Sequence, residues 1–334
     1  MDTNSKIFSQ SQLKQILKNK YSNLTNASEE TNATLQSNEK ENDNYIAKKQ
    51  LQNLINQKLH CEKTYFVELA QEITNYIFEK EKQSEISFKE CPFEKHKNLS
   101  EEVRKVLINW IIQQQNTFEF PNQILYDTIK YIDYYLIQVE EPDITLENFQ
   151  ELGITAFQLA VKNITKCSFE MEQLEHLTKD WVKKDKILQR EFQILETIGS
   201  NFTAPTRIEF LEIFCSLLDI DEKTKKFAAY ILDSTLYLTK FIKYKCSFTA
   251  SLSIFLAYSL INEKWGTPKY FQIVTNYSEK EIIQYKKVIM DSLLRPVKYP
   301  TNSKNQNIYK YLNQKYKKDN ILEQTQQLLQ KFLE

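Results

Sequence analysis

The stretch EEVRKVLINWIIQQQ (101–115) places seven apolar side chains among the ten from Val103 to Ile112. An ordinary surface helix needs an apolar stripe only about 100° wide. Here two stripes lie side by side at helical spacing. Val103, Val106, Leu107 and Trp110 form one, and Ile108, Ile111 and Ile112 form the other. Arg104 points between Ile108 and Ile111, inside the apolar arc. Such a helix is either central and buried on both sides, or it keeps one stripe as a shallow exposed patch of the kind that marks binding sites.

The helical period recurs along most of the chain. Phe66, Leu69, Ile73, Tyr76 and Ile77 predict a helix beginning near Thr64. Ser100, with glutamates behind it, caps the helix of the opening stretch. Pro121 starts the next, to about Gln138. Pro142 and Thr145 precede a third (145–165), MEQLEHLTKDW gives a short fourth, and 185–198 a fifth that ends at Gly199. After Ala204-Pro205-Thr206 the pattern predicts five more: 207–218, 224–242, 247–261, 268–274 and 278–294. Five helices and then five predict two similar all-α domains in tandem, 100–203 and 204–300, with a linker near 200–204. An N-terminal helix and connector (61–99) precede them. A polar tail (301–334) follows, with a last amphipathic helix at 319–333. Residues 1–60 are rich in Asn, Gln, Ser, Lys and Glu and nearly empty of aromatics. They predict a disordered arm, with a short helix around 46–59.

Two charges stand where apolar residues belong. A lone buried guanidinium would cost several kcal/mol, roughly, so Arg104 needs a carboxylate. Asp133 is the candidate, on the next helix beside the stripe of Ile124, Leu125, Ile129, Ile132 and Leu136. A bidentate bond between them would lock the first two helices. Glu191 falls in the middle of the stripe Ile187, Leu188, Ile194, Leu195 and Ile198. Lys162 ends the third helix on the side away from that helix's apolar face. The two are either a surface ion pair, worth little, or a paired docking site for another protein.

Composition narrows the function classes. The chain has 44 basic and 44 acidic residues, which argues against a general electrostatic grip on nucleic acid or anionic membrane. Only Gly153, Gly199 and Gly266 are glycines, so phosphate-cradling loops have no material. Five scattered cysteines without CxxC and three solitary histidines predict reduced thiols and no metal site. No apolar run opens the chain, and the longest, 227–242 and 247–261, are too short or broken by Asp233 and Lys240 to cross a bilayer. A soluble protein is expected. No nucleophile–base pair or cofactor motif points to an enzyme.

These residues also carry a family resemblance. VRKVLINWI (103–111) resembles the MRAIL-type helix of cyclins, and YIDYYL (131–136) their Y-x-D-R-F-L segment. LGITAFQLAVK (152–162) is similar to the run that closes the third cyclin-box helix. ILQREFQILETIGSNFTAPT (187–206) is similar to the end of the first box, and EITNYIFEKE (72–81) to the helix before the box in A- and B-type cyclins. The resemblance covers about 65–310.

What the resemblance implies is a mitotic kinase-activating subunit of nucleus and cytoplasm, without an active site, cofactor or metal of its own. Lys162, Glu191, Ile73, Tyr76, Leu195 and Phe202 match the residues that bind a cyclin-dependent kinase. Val103, Val106, Leu107, Trp110, Gln113 and Gln150 match the patch that docks Arg-x-Leu segments of substrates and inhibitors. Arg104 and Asp133 match the family's internal salt bridge. Lys40-Glu41-Asn42 matches the KEN degron read by the ubiquitin ligase of mitosis. The chain departs from the family at Tyr134 (usually Arg), at Asn163, Ile164 and Thr165 (aromatic and acidic residues), at Ser200 (an aromatic) and at Val103 (Met). Two alternatives remain. One is a transcription-factor scaffold of the TFIIB type, which shares the tandem plan and wants a basic face. The other is a helical adaptor that kept the fold without the kinase.

Overall fold

The computed structural model describes residues 70–84, 93, 96, 98–139, 144–169, 184–288, 290, 309–317, 320, 321, 323–325 and 327. Among them every regular element is a helix. Helix α1 (Ala70–Gln83) comes first. A first bundle contains α2 (Glu101–Thr117), α3 (Asn122–Gln138), α4 (Leu146–Thr165) and α5 (Lys184–Ile198), closed by a 3-10 turn, Gly199–Thr203. A second contains α6 (Arg207–Leu217), α7 (Glu222–Leu236), α8 (Cys246–Ile261), α9 (Phe271–Thr275) and α10 (Glu279–Ile283). Helix α11 (Lys310–Lys315) lies in the tail. The all-α expectation with two tandem bundles holds. The expected arm, its 46–59 helix, Lys40-Glu41-Asn42, Phe66, Leu69 and the 171–181 helix lie outside the described residues.

Local chemistry starts these helices where the sequence marks them. Ser100 Oγ accepts the Val103 N–H (3.3 Å), Thr145 Oγ1 that of Asn148 (3.2 Å), and Asp221 Oδ1 that of Thr224 (2.9 Å). Thr206 and Glu209 form a capping box, the Thr206 N–H donating to Glu209 Oε2 at 2.6 Å. Each bundle wraps a helix buried almost all round. In α3 these are Ile124 to Ile129 and Tyr131 to Leu136, and in α8 Ser247 to Ala257. The hydroxyls buried along α8 are satisfied within the helix, Ser251 donating to the Ser247 carbonyl (2.8 Å) and Ser253 to that of Thr249 (2.9 Å).

Two helices are broken where their periodicity runs on. The 224–242 helix stops at Leu236, Leu238 is extended, and a separate 3-10 turn spans Thr239–Lys243. The cause is tertiary. The Leu236 carbonyl freed at the break is taken by Arg104 Nη1, and the Phe241 carbonyl in the turn that follows accepts from Arg207 Nη2 (2.7 Å) as well as from the Tyr244 N–H. The 278–294 helix is interrupted by a turn at Gln284 and Tyr285 and is helical again at Lys286 to Val288 and at Met290. The tail helix expected at 319–333 is described at Ile321, Glu323 to Thr325 and Gln327, all helical.

Helix α1 is mounted on the second bundle. The Phe78 ring lies 5.4 Å from Phe210 and 5.9 Å from Phe214. The buried Glu81 carboxylate accepts both the backbone N–H (2.8 Å) and the hydroxyl (2.5 Å) of Ser247, at the start of α8, where a helix favours negative charge. Burial pushes this carboxyl up from its ordinary value, and the Ser247 bonds pull it back.

Candidate functional site

Arg104 and Asp133 meet in a bidentate pair, Nε to Oδ1 at 3.2 Å and Nη2 to Oδ2 at 2.8 Å, both residues buried. The Phe93 ring lies 5.7 Å from the guanidinium carbon. The third guanidinium nitrogen donates to the Leu236 carbonyl, so Arg104 joins the two bundles as well as α2 and α3.

Lys162 and Glu191 also come together. Lys162 Nζ lies 2.8 and 2.7 Å from the two Glu191 oxygens, with the side chains 32% and 16% exposed. Their helices are fixed by neighbours. Helix α4 ends at Lys166, which is left-handed (φ 60°) and donates its N–H back to the Lys162 carbonyl. Helix α5 is oriented by Arg190, whose Nε reaches Glu151 Oε1 and Nη1 the Tyr135 hydroxyl, each at 2.9 Å. Nothing in the spacing marks Arg190. Its partners are contributed by two other helices.

The stripe read along α5 divides in three dimensions. Ile187, Ile194 and Ile198 are buried, but Leu188 and Leu195 are 44% and 40% exposed. With Phe192, 68% exposed, they form an apolar row beside the Lys162–Glu191 pair. The stripe is therefore not a single core face: among the described residues α5 packs chiefly on α3 and α4, which cover one side of it. The signal for Phe192 lies in the spacing 188, 192, 195, the face next to the core stripe. Phe202 continues the region beyond α5. It stacks on Tyr131 (centroids 4.6 Å, planes 9° apart), and Lys130 Nζ holds the Phe202 and Ala204 carbonyls at 3.1 and 2.7 Å. Ile73 is half-buried and Tyr76 40% exposed on α1.

Along α2 the first stripe is graded. Val106 is 59% exposed, Val103, Trp110 and Gln113 are half-buried, and Leu107 is buried beneath them. Gln150 is exposed on α4. The Trp110 ring meets Phe157 edge-on at 6.0 Å. Gly153 sets the depth of this patch, because a Cβ there would lie 2.6 and 2.8 Å from the Leu107 methyls. Gly153→Ala gains about 1 kcal/mol of helix propensity and overpacks Leu107 by more. A net loss of about 1–2 kcal/mol in urea unfolding is expected, with Leu107 pushed outward.

The described residues hold no cluster of three or more metal-ligating side chains, and none of their helices is long and apolar enough to cross a membrane. Cys167, Cys215 and Cys246 are free thiols.

Comparisons with known proteins place the chain by family and by fold. Residues 72–203 match the model of the cyclin N-terminal domain, and residues 205–325 that of the cyclin C-terminal domain. A G2/mitotic-specific cyclin-B3 of Gallus gallus is 26% identical over 60% of this chain and 48% of its own length. A G2/mitotic-specific cyclin-B of Hydra vulgaris is 30% identical over 54% of this chain and 49% of its own. The chain thus spans about half the length of these relatives. The X-ray structure of a viral cyclin from herpesvirus saimiri superposes with a TM-score of 0.56 at 15% identity, over 66% of this chain and 96% of that one, which speaks for the fold. Both boxes being present in order across most of the described residues, the chain belongs to the cyclin family, whose domains are regulatory and not catalytic.

Proposed function

We propose that the chain binds and allosterically activates a cyclin-dependent Ser/Thr kinase, as a B-like mitotic cyclin of nucleus and cytoplasm. The observation that carries this reading is the exposed row Leu188, Phe192 and Leu195 beside the Lys162–Glu191 pair. A carboxylate and an ammonium flanked by solvated apolar side chains suit a partner that is itself amphipathic, such as the mobile helix of a kinase. Glu191 is only part-buried in the free chain, and the partner completes its burial. The cyclin favours the kinase state in which that helix is swung in, the kinase's own Lys–Glu pair is closed and the activation loop is ordered. Activation needs only that the cyclin bind this state more tightly than the inactive one.

The graded α2 patch suits Arg-x-Leu segments of substrates and inhibitors. Val103, Val106 and Trp110 offer the apolar surface, and Gln113 and Gln150 the polar rim. Lys40-Glu41-Asn42 would put the protein's lifetime under the ubiquitin ligase of mitosis. The domain division 100–203 and 204–300 belongs to the same reading.

The test is titration of the chain into the cyclin-dependent kinases of its own organism, with Lys162→Ala/Glu191→Ala alongside. At least one kinase is expected to be activated, and the double variant to bind it about 30-fold more weakly, roughly 2 kcal/mol. Absence of any kinase binding by the wild type would sink the proposal in favour of an adaptor.

A further inference from the structure

Resting on that reading, the residues proposed to meet the kinase stand on two bundles. Lys162, Glu191, Phe192 and Leu195 belong to the first. Ile73 and Tyr76 ride on α1, which Phe78 and Glu81 fasten to the second. A rigid partner reads both sets only when the bundles keep one fixed relation.

The seam between them, which Arg104 also bridges, holds a buried carboxylate. Asp233 lies in α7, after the apolar run Phe227 to Leu232, and is 1% exposed. Its Oδ1 accepts from the Tyr126 hydroxyl of α3 in the first bundle (2.6 Å). Its Oδ2 accepts from Lys315 Nζ and the Tyr316 hydroxyl of the tail, each at 2.8 Å. The tail is stitched to the first bundle too. Lys315 Nζ also donates to Gln115 Oε1 (3.2 Å), Asn116 Nδ2 to the Tyr311 carbonyl (3.2 Å), and the Tyr311 N–H to Asn109 Oδ1 (3.3 Å). Leu312 is fully buried, and the Tyr309 and Tyr316 rings lie 4.8 and 5.3 Å from Tyr237 and Tyr230, respectively. One carboxylate therefore takes donors from segments distant in sequence. A buried charge of this kind is stable only while its partners stay in place.

We infer that Asp233, gripped by the tail segment Tyr309–Tyr316, is a positioning residue for the kinase-binding surface. It holds the bundle that carries α1 in register with the bundle that carries Lys162 and Glu191. It touches no kinase, and its effect on binding passes through α1.

The test is a double-mutant cycle in the full chain, read as kinase Kd and as kinase activity at saturating cyclin. Asp233→Asn is expected to raise Kd about tenfold, with saturated activity near that of the wild type. Tyr76→Ala should lose most of its own effect on Kd in the Asp233→Asn background, because α1 no longer meets the kinase in register there. A residue that merely sustains folding would leave the two effects additive. Tyr316→Phe removes one of the three donors and serves for the same cycle if Asp233→Asn does not fold. Additive effects, or an unchanged Kd in a folded variant, overturn the inference and leave the kinase-binding proposal standing. A wild type that binds no kinase overturns both.

Discussion

Replacing Arg104 with methionine is expected to destabilise the chain by about 3–5 kcal/mol, the usual cost of breaking a buried ion pair from one side. Asp133, 6% exposed with the arginine in place, would lose its guanidinium. The Leu236 carbonyl, at the end of a helix in the other bundle, would lose its Arg104 donor at the same time. Methionine fills much of the volume, so the loss reports the polar partners and not a cavity. Asp133→Leu in the same chain removes the stranded carboxylate and should recover part of the stability. It cannot recover all, because the Leu236 carbonyl stays without its arginine, at a cost of about 1–3 kcal/mol. Urea unfolding of the single and double variants measures both quantities. A single-variant loss below about 1 kcal/mol would mean that the pair behaves as a surface salt bridge.

Phe192→Asp is expected to do the opposite: little to stability and much to binding. Phe192 is 68% exposed and its replacement empties no core, so unfolding should stay within about 0.5 kcal/mol of wild type. The new carboxylate would stand next to Glu191 and between Leu188 and Leu195, in the middle of the proposed kinase face. Desolvating it there without a cation should weaken kinase binding by about 2 kcal/mol or more, roughly 30-fold, as for an anchor aromatic near the centre of an interface. Calorimetric titration against the kinase identified with the wild type checks this. An unchanged Kd would place the interface elsewhere and remove the observation on which the proposed function rests.

Much of the fold and part of the site are legible in the order of residues. Helix starts are local chemistry, so Ser100, Thr145 and Thr206 mark them in the sequence as they do in the fold. Arg104 is conspicuous because a cation inside an apolar arc has few physical resolutions, and Asp133 lies at the right place on the next helix. Glu191 is conspicuous for the same reason. The division of its stripe is not legible, because Leu188 and Leu195 differ from Ile187 and Ile194 only in what packs against them. Leu195 is marked by the family resemblance alone, and Phe192 escapes notice. The break after Leu236 is hidden too, since the carbonyl it exposes is satisfied by Arg104, far away in sequence.

The sequence alone determined the helical class, the two bundles in tandem and the family, through apolar period, capping residues, scarcity of glycine and motifs in order. All of these are short-range or statistical properties of the chain. Tertiary structure decided which face of a helix stays in water, where a long apolar run ends, and that α1 is seated on the second bundle. It also decided that Asp233, which in sequence only interrupts an apolar run, gathers Tyr126, Lys315 and Tyr316 at the seam. Burial and pairing depend on which distant side chains arrive at the same place, and a one-dimensional pattern carries no record of that.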